Sequence, residues 1–203
     1  VTLLFVFDMD DVLYDYDWRT RMVGMTAVTG FDLTELRRRW WNDDGEWAAE
    51  AGGFATPEDY LAAFERAMGM SIDEREWARI RGAAMTPWPE SLAAVRRATE
   101  FGQVTLLTNN GALAQKHLRA WAPELIELFG EHLYTTSHYG ARKPNPLVFE
   151  RVLEAYSSPA SNTFFADDML VNVEGARSLG ITAHHFTSSE NLRDAVEGFA
   201  LNR

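Results

Sequence analysis

Five apolar residues in succession, Leu3-Leu4-Phe5-Val6-Phe7, run straight into Asp8-Met9-Asp10. Such a run reads as a buried strand that delivers two carboxylates to its own carboxyl end, where open α/β sheets place their chemistry. Acids at i and i+2 repel each other unless they share a proton or a cation sits between them. A hard divalent metal with oxygen ligands is the usual solution. Taken alone, the pair serves equally well to end a strand and open a turn.

Three further segments, in chain order, sharpen that reading. Val104-Thr105-Leu106-Leu107-Thr108-Asn109-Asn110-Gly111 is a second apolar strand that ends in a hydroxyl and two amides before a helical pattern. A hydroxyl beside the free N–H groups of a helix start suits a phosphate, although Thr, Asn and Gly also serve as ordinary caps. Arg142-Lys143-Pro144-Asn145-Pro146 places a cation ahead of a helix expected over Pro146–Ala155, with proline at the first helical position. The chain has two lysines against seventeen arginines, so a lysine here is a pointed choice over the common cation. Finally, Thr163-Phe164-Phe165-Ala166-Asp167-Asp168 is another apolar run closed by two acids, with Asn172 four residues on. One acid there is explained by capping and the helix dipole; two behind so apolar a run are not.

Between about Tyr14 and Pro89 the character of the chain changes. Outside that interval, strands over 3–7, 104–107, 132–136, 163–166 and 181–186 alternate with helical patterns, which implies a parallel sheet. Inside it, only helices are expected. Asp32-Leu33-Thr34-Glu35 opens one over 33–41 with a capping-box pattern. Thr56-Pro57 opens a second, with Tyr60, Leu61, Phe64 and Met68 on one face; Ser71 with Glu74 opens a third, carrying Trp77 and Ile80 inward.

An acid pair, a hydroxyl, a lysine and a second acid pair, each beyond or between successive strands, are together far more specific than any member. The set resembles the haloacid dehalogenase-like hydrolase superfamily, with all four of its motifs present in order across nearly the whole chain. The resemblance implies a doubly wound, Rossmann-like α/β core over residues 1–14 and 88–203, with an all-helical cap over 15–87. It implies a phosphatase in which Asp8 is the nucleophile that forms an aspartyl-phosphate. Asp10 is then the general acid and base, and Thr108 and the backbone of Asn109 bind the phosphoryl group. Lys143 neutralises it and orients Asp8, and Mg²⁺ is held by Asp8, Asp10 (through its carbonyl) and Asp168. Asp167 and Asn172 fall to supporting roles. The cap would exclude water and read the leaving group, with Trp18, Arg21, Arg37, Trp40, Trp41 and Trp47 as candidates. Tryptophans at helical spacing more commonly pack helices together, and Arg37-Arg38-Arg39 more commonly forms a solvated face.

Other readings remain. Dehalogenases that give the superfamily its name lack an acid two residues after the nucleophile and the paired acid motif, so Asp10, Asp167 and Asp168 favour a phosphatase. Phosphomutases share all four motifs, and a catalytically silent binding module stays open. The run from Asp167-Asp168 through Asn172 to Ala176 is most similar to helical-capped phosphatases of small sugar phosphates, so the expected partner is a small phosphorylated metabolite.

A net charge of −11 argues against nucleic acid, which is bound by basic surfaces. Locally, a bound cation and Lys143 would outweigh distant, screened surface acids at the site. The absence of cysteine excludes disulfides and thiolate zinc sites. No apolar stretch approaches the roughly 20 residues of a membrane span. The opening run, cut short by acids, does not read as a secretory signal, and a cytoplasmic enzyme is expected. None of the five histidines is assigned a role.

Overall fold

The computed structural model describes residues 2–202. In chain order these form β1 (Leu3–Phe7), β2 (Tyr14–Tyr16), α1 (Trp18–Thr29), α2 (Leu33–Arg39), α3 (Glu46–Glu50), α4 (Pro57–Met68) and α5 (Glu74–Gly82). There follow β3 (Met85–Pro87), α6 (Pro89–Thr99), β4 (Gly102–Thr108), α7 (Ala112–Trp121), α8 (Pro123–Phe129) and β5 (Leu133–Thr135). The chain closes with α9 (Pro146–Ala155), β6 (Thr163–Asp167), α10 (Leu170–Arg177), β7 (Thr182–His185) and α11 (Ser189–Leu201).

β1 is the middle strand of a five-stranded sheet of order β5-β4-β1-β6-β7, and every pairing in it is parallel. Alternation along β1 feeds two separate cores. Phe5 and Phe7 pack with Ala94, Val95, Leu192 and Phe199 from α6 and α11, whereas Leu4 and Val6 pack with Val148, Phe149 and Val173 from α9 and α10. A strand buried on both faces has no polar side to present, which is why this segment is apolar without a break. The architecture is the expected α/β Rossmann-like fold, with helices on both faces of a parallel sheet.

β1 to β4 runs one way across the sheet and β6 returns on the other side of β1, so the chain reverses direction at β1. Phe7 is level with Leu106 of β4 and Ala166 of β6. The carboxyl ends of these three strands, which carry Asp8, Thr108 and Asp167, therefore lie side by side at the switch point where α/β sheets bind ligands.

Helices α1–α5 enclose a third apolar cluster that includes Met25, Leu36, Trp40, Tyr60, Phe64, Trp77 and Ile80, together with Leu113 and Ala114 of α7. The helical block thus rests on the helix that begins beside the site. Local signals act as expected in α4, where Thr56 and Asp59 complete a reciprocal capping box. In α2 Asp32 accepts from the Glu35 N–H, but the Glu35 carboxylate turns to Arg38 and Arg39. That helix ends at Arg39, with Trp40 its C-cap, two residues short of the expected end. Asp73, not Ser71, caps α5 and accepts from two of its N–H groups. The interval is not purely helical: β2 and β3 pair antiparallel at its two ends, Tyr14 opposite Pro87 and Tyr16 opposite Met85. Three residues per strand are too few for a period-2 pattern to register in the sequence. No helix among the described residues is long and apolar enough to cross a membrane.

Candidate active site

The turn after β1 is pinned from below. Met9, Val12 and Leu13 enter the core, and the Met9 carbonyl accepts from the Leu13 and Tyr14 N–H groups. Of the carboxylates on either side of Met9, Asp8 turns to Lys143 and the end of β6, and Asp10 turns to Arg81 of α5. Asp11 takes up a left-handed conformation at φ 56°, and its side chain accepts from the Tyr16 N–H, which closes the turn.

Lys143 is the centre of the charge arrangement. Its ammonium is wholly buried, 2.9 Å from Asp8 Oδ1 and 2.6 Å from Asp167 Oδ2. Its backbone is clamped by Asn109, whose side-chain amide donates to the Lys143 carbonyl at 3.0 Å and whose oxygen accepts the Lys143 N–H at 2.9 Å. Asn109, expected to serve through its backbone, thus fixes the lysine through its side chain. On the far side, α10 approaches the same loop so closely that a Cβ on Gly175 would stand 2.5 Å from the Pro144 carbonyl oxygen.

Asp167 is fully buried and its oxygens are in use: Oδ2 takes the lysine, and Oδ1 accepts from Asn172 Nδ2 and the Met169 N–H, each at 2.9 Å. Asp168 is the freer acid of the two, and its carbonyl is tied to His185 Nε2 at 2.8 Å. Asp8, Asp167 and Asp168 each present a carboxylate oxygen within 4.8 Å of the others. With both Asp167 oxygens engaged, Asp8 and Asp168 leave two hard carboxylate donors at this spacing, which suits Mg²⁺, an ion that keeps several of its waters and takes one or two carboxylates. Thr108, also buried, accepts from Asn110 Nδ2 at 2.9 Å at the end of β4.

Electrostatics follow from burial. Burial pushes the Asp8 carboxyl well above the usual range, with Lys143 opposing and Asp167 adding to the rise. Burial also works against the charged Lys143, but the Asp167 and Asp8 carboxylates overcome it and hold the ammonium more firmly protonated than usual. Asp168 is pushed up to about 6, first by burial and then by Asp167 and Asp11. A site crowded with acids and short of positive charge is poised to take a cation.

Asp10 stands apart from the acid cluster. Its carboxylate lies toward the helical block, where Arg81 Nη2 reaches both oxygens at 2.9 and 2.6 Å. Above it opens a cavity of about 550 Å³, floored by Asp10, Asn109 and Asn110 and walled by Tyr16, Trp18, Trp41 and Trp47. Arg37 also lines this cavity; it stacks on Trp18 and carries no ion pair among the described residues. Arg21 lines it too, but its guanidinium is buried against Glu46 at 3.1 Å. Trp40 does not belong to the cavity: it is 1% exposed, stacked on Phe54, and donates Nε1 to Glu46 and Tyr60.

Sequence reasoning missed several residues. Arg81 lies four residues after Trp77, on the inward stripe of α5, and a cation on a buried stripe is the signal that identifies it. His117, assigned no role from the sequence, meets Glu74 at 2.7 Å. Glu50 and His185 carry no such signal, since their partners, Arg142 and the Asp168 carbonyl, lie on other segments.

A family profile described as haloacid dehalogenase-like hydrolase matches residues 2–180. The phosphatase MT3486 of Mycobacterium tuberculosis (strain CDC 1551 / Oshkosh) is 29% identical over 200 residues, covering 94% of this chain and 90% of that protein. Among solved structures, the HAD family enzyme bt-2542 of Bacteroides thetaiotaomicron, in complex with magnesium and inorganic phosphate, superposes with a TM-score of 0.77 at 20% identity. The match covers 92% of this chain and 95% of the other. The L-2-haloacid dehalogenase of Xanthobacter autotrophicus superposes with a TM-score of 0.62 at 19% identity, over 94% and 80%. The chain belongs to the haloacid dehalogenase-like hydrolase family.

Proposed function

We propose that this hydrolase is a Mg²⁺-dependent phosphatase acting on a small phosphorylated metabolite, with residues 1–14 and 88–203 as its catalytic core and 15–87 as a cap. The observation that carries this reading is the convergence of Asp8, Asp167 and Asp168 around the buried Lys143. Asp8, Asp168 and the Asp10 carbonyl would hold the metal. When bound, it supplies positive charge that lets a carboxylate approach a phosphate dianion.

The remaining chemistry belongs to the chain's own residues. A carboxylate oxygen of Asp8 attacks phosphorus; the ester P–O bond breaks, and its electron pair leaves with the oxygen, which takes a proton from Asp10. Asp10, now a carboxylate, takes a proton from water as that water's oxygen attacks phosphorus. The bond to Asp8 then breaks, freeing phosphate and restoring the nucleophile. Two easier displacements replace one difficult one. Lys143 orients Asp8 and offsets charge on the transferring group, and Thr108 with the N–H groups at the start of α7 binds its equatorial oxygens. Asp167 and Asn172 hold Lys143 and the Asp168 loop in place. Trp18, Trp41 and Arg37 face the leaving group.

Asp10 separates this reading from halide displacement, which needs no proton donor two residues beyond the nucleophile. The names of two relatives, a phosphatase and an enzyme in complex with magnesium and phosphate, support it as well. The test is release of phosphate from p-nitrophenyl phosphate with Mg²⁺ and with chelator, beside Asp8→Asn. Metal-dependent turnover lost in the variant is expected. Inertness of the wild type across a broad phosphate panel, or chelator-insensitive chloride release from 2-chloropropionate, would refute it.

A further inference from the structure

We infer that Arg81 is a positioning residue for Asp10: it fixes the general acid over the cleft and stabilises the carboxylate that forms as its proton leaves. This deepens the phosphatase reading and rests on it. Arg81 is 1% exposed, and its only ion pair among the described residues is the one to both oxygens of Asp10. Its guanidinium carbon lies 4.1 Å from the Tyr16 ring centroid and 5.5 Å from that of Trp121. Nε and Nη1 are buried without hydrogen-bond partners. A buried cation left with unsatisfied donors is a costly way to stabilise a fold, and such groups call for another explanation.

Placement supplies one. Asp10 is partly exposed at the mouth of the cavity, so its side chain would otherwise be free to rotate. Arg81 is held between β2 and α7, and the fit is close: a Cβ on the adjacent Gly82 would come within 2.7 Å of the Trp121 ring. The cation that orients the acid therefore belongs to the helical block and is set by its contact with the core, so the proton donor is complete only when the two are docked. As the ester bond breaks and Asp10 yields its proton to the leaving oxygen, negative charge appears on a carboxylate already facing Arg81. A positioned charge of this kind needs no reorganisation at the moment of reaction.

Proton donation matters most when the leaving group is a poor one, so the test is the dependence of kcat/KM on leaving group. Wild type, Arg81→Met, Arg81→Lys, Asp10→Asn and the Asp10→Asn/Arg81→Met double variant are compared on aryl phosphates from 2,4-dinitrophenyl to phenyl phosphate. Arg81→Met should lose about tenfold or more beyond its dinitrophenyl loss on phenyl phosphate, within the usual contribution of a general acid. Arg81→Lys should change the slope less and in the same direction. In the Asp10→Asn background, removing Arg81 should leave the slope unchanged, because the two act as one unit. An equal loss across the series, or the same steepening with Asp10 already gone, overturns the proposal. If Arg81→Met fails to fold, Arg81→Lys decides: an unchanged slope refutes the role. Wild-type hydrolysis of the same esters, lost in Asp8→Asn, tests the phosphatase reading separately, so failure of one is distinguishable from failure of the other.

Discussion

Replacing Lys143 with methionine removes the one cation between two buried carboxylates at nearly constant volume. At an effective dielectric near 20, contacts of 2.9 and 2.6 Å correspond to roughly 6 kcal/mol of gross attraction each. Desolvating the ammonium cancels much of this, and deleting one member of a buried ion pair usually costs about 3–5 kcal/mol. In the variant the two acids, with oxygens within 4.8 Å, repel each other instead. That penalty has a ceiling, because the Asp8 carboxyl can take a proton. From an ordinary value of 3.8, protonation costs about 4 kcal/mol at pH 7 and about 1.5 kcal/mol at pH 5. The sign follows from linkage: a carboxyl whose folded pKa is raised stabilises the native state below its ordinary value and loses that contribution as pH rises. Lys143→Met should therefore cost about 3–4 kcal/mol at pH 7 and markedly less at pH 5, in urea unfolding followed by tryptophan fluorescence with chelator present. A cost below 1 kcal/mol at pH 7, or one that does not shrink on acidification, would refute the claim that Lys143 holds the two buried acids together.

Gly175→Ala would drive a methyl to within 2.5 Å of the Pro144 carbonyl, so unfolding should show a loss of about 1–3 kcal/mol, whereas Gly198→Ala on α11, with open space around it, should be neutral or stabilising. The same Gly175 variant should lose activity, since the backbone displaced is that of the loop bearing Lys143. Glu50 is pushed up to about 7, mainly by burial and against the nearby Arg142, so its contribution to stability declines as pH climbs from 4.5 toward 7. Glu50→Gln should flatten that part of the stability profile; parallel curves for variant and wild type would contradict the assignment.

What was legible in the sequence was whatever is written locally. The pentad Leu3–Phe7 is apolar on both faces because both faces are covered, and the strands and acids that follow it lie where that pattern places them. Helix α9 runs over the residues its proline start implied, and Tyr60, Phe64 and Met68 are buried as their spacing requires. The β2–β3 pair and the tie between Arg81 and Asp10 were not legible, for a common reason. Each joins segments about seventy residues apart through contacts too few to leave a period in either segment. Trp40 shows the limit from the other direction: an indole that follows three arginines looks like a ligand wall, and only burial against Glu46, Tyr60 and Phe54 shows it to be a core residue.

The central claim is that Asp8 itself carries the phosphoryl group between two displacements. Mixing the enzyme with Mg²⁺ and an aryl phosphate labelled with radioactive phosphorus, quenching in acid and mapping the peptides tests it directly. Label should appear on the peptide containing Asp8, disappear when unlabelled substrate is added, and be absent from Asp8→Asn and from chelated enzyme. Turnover that survives in Asp8→Asn, or label found only on another residue, would contradict it.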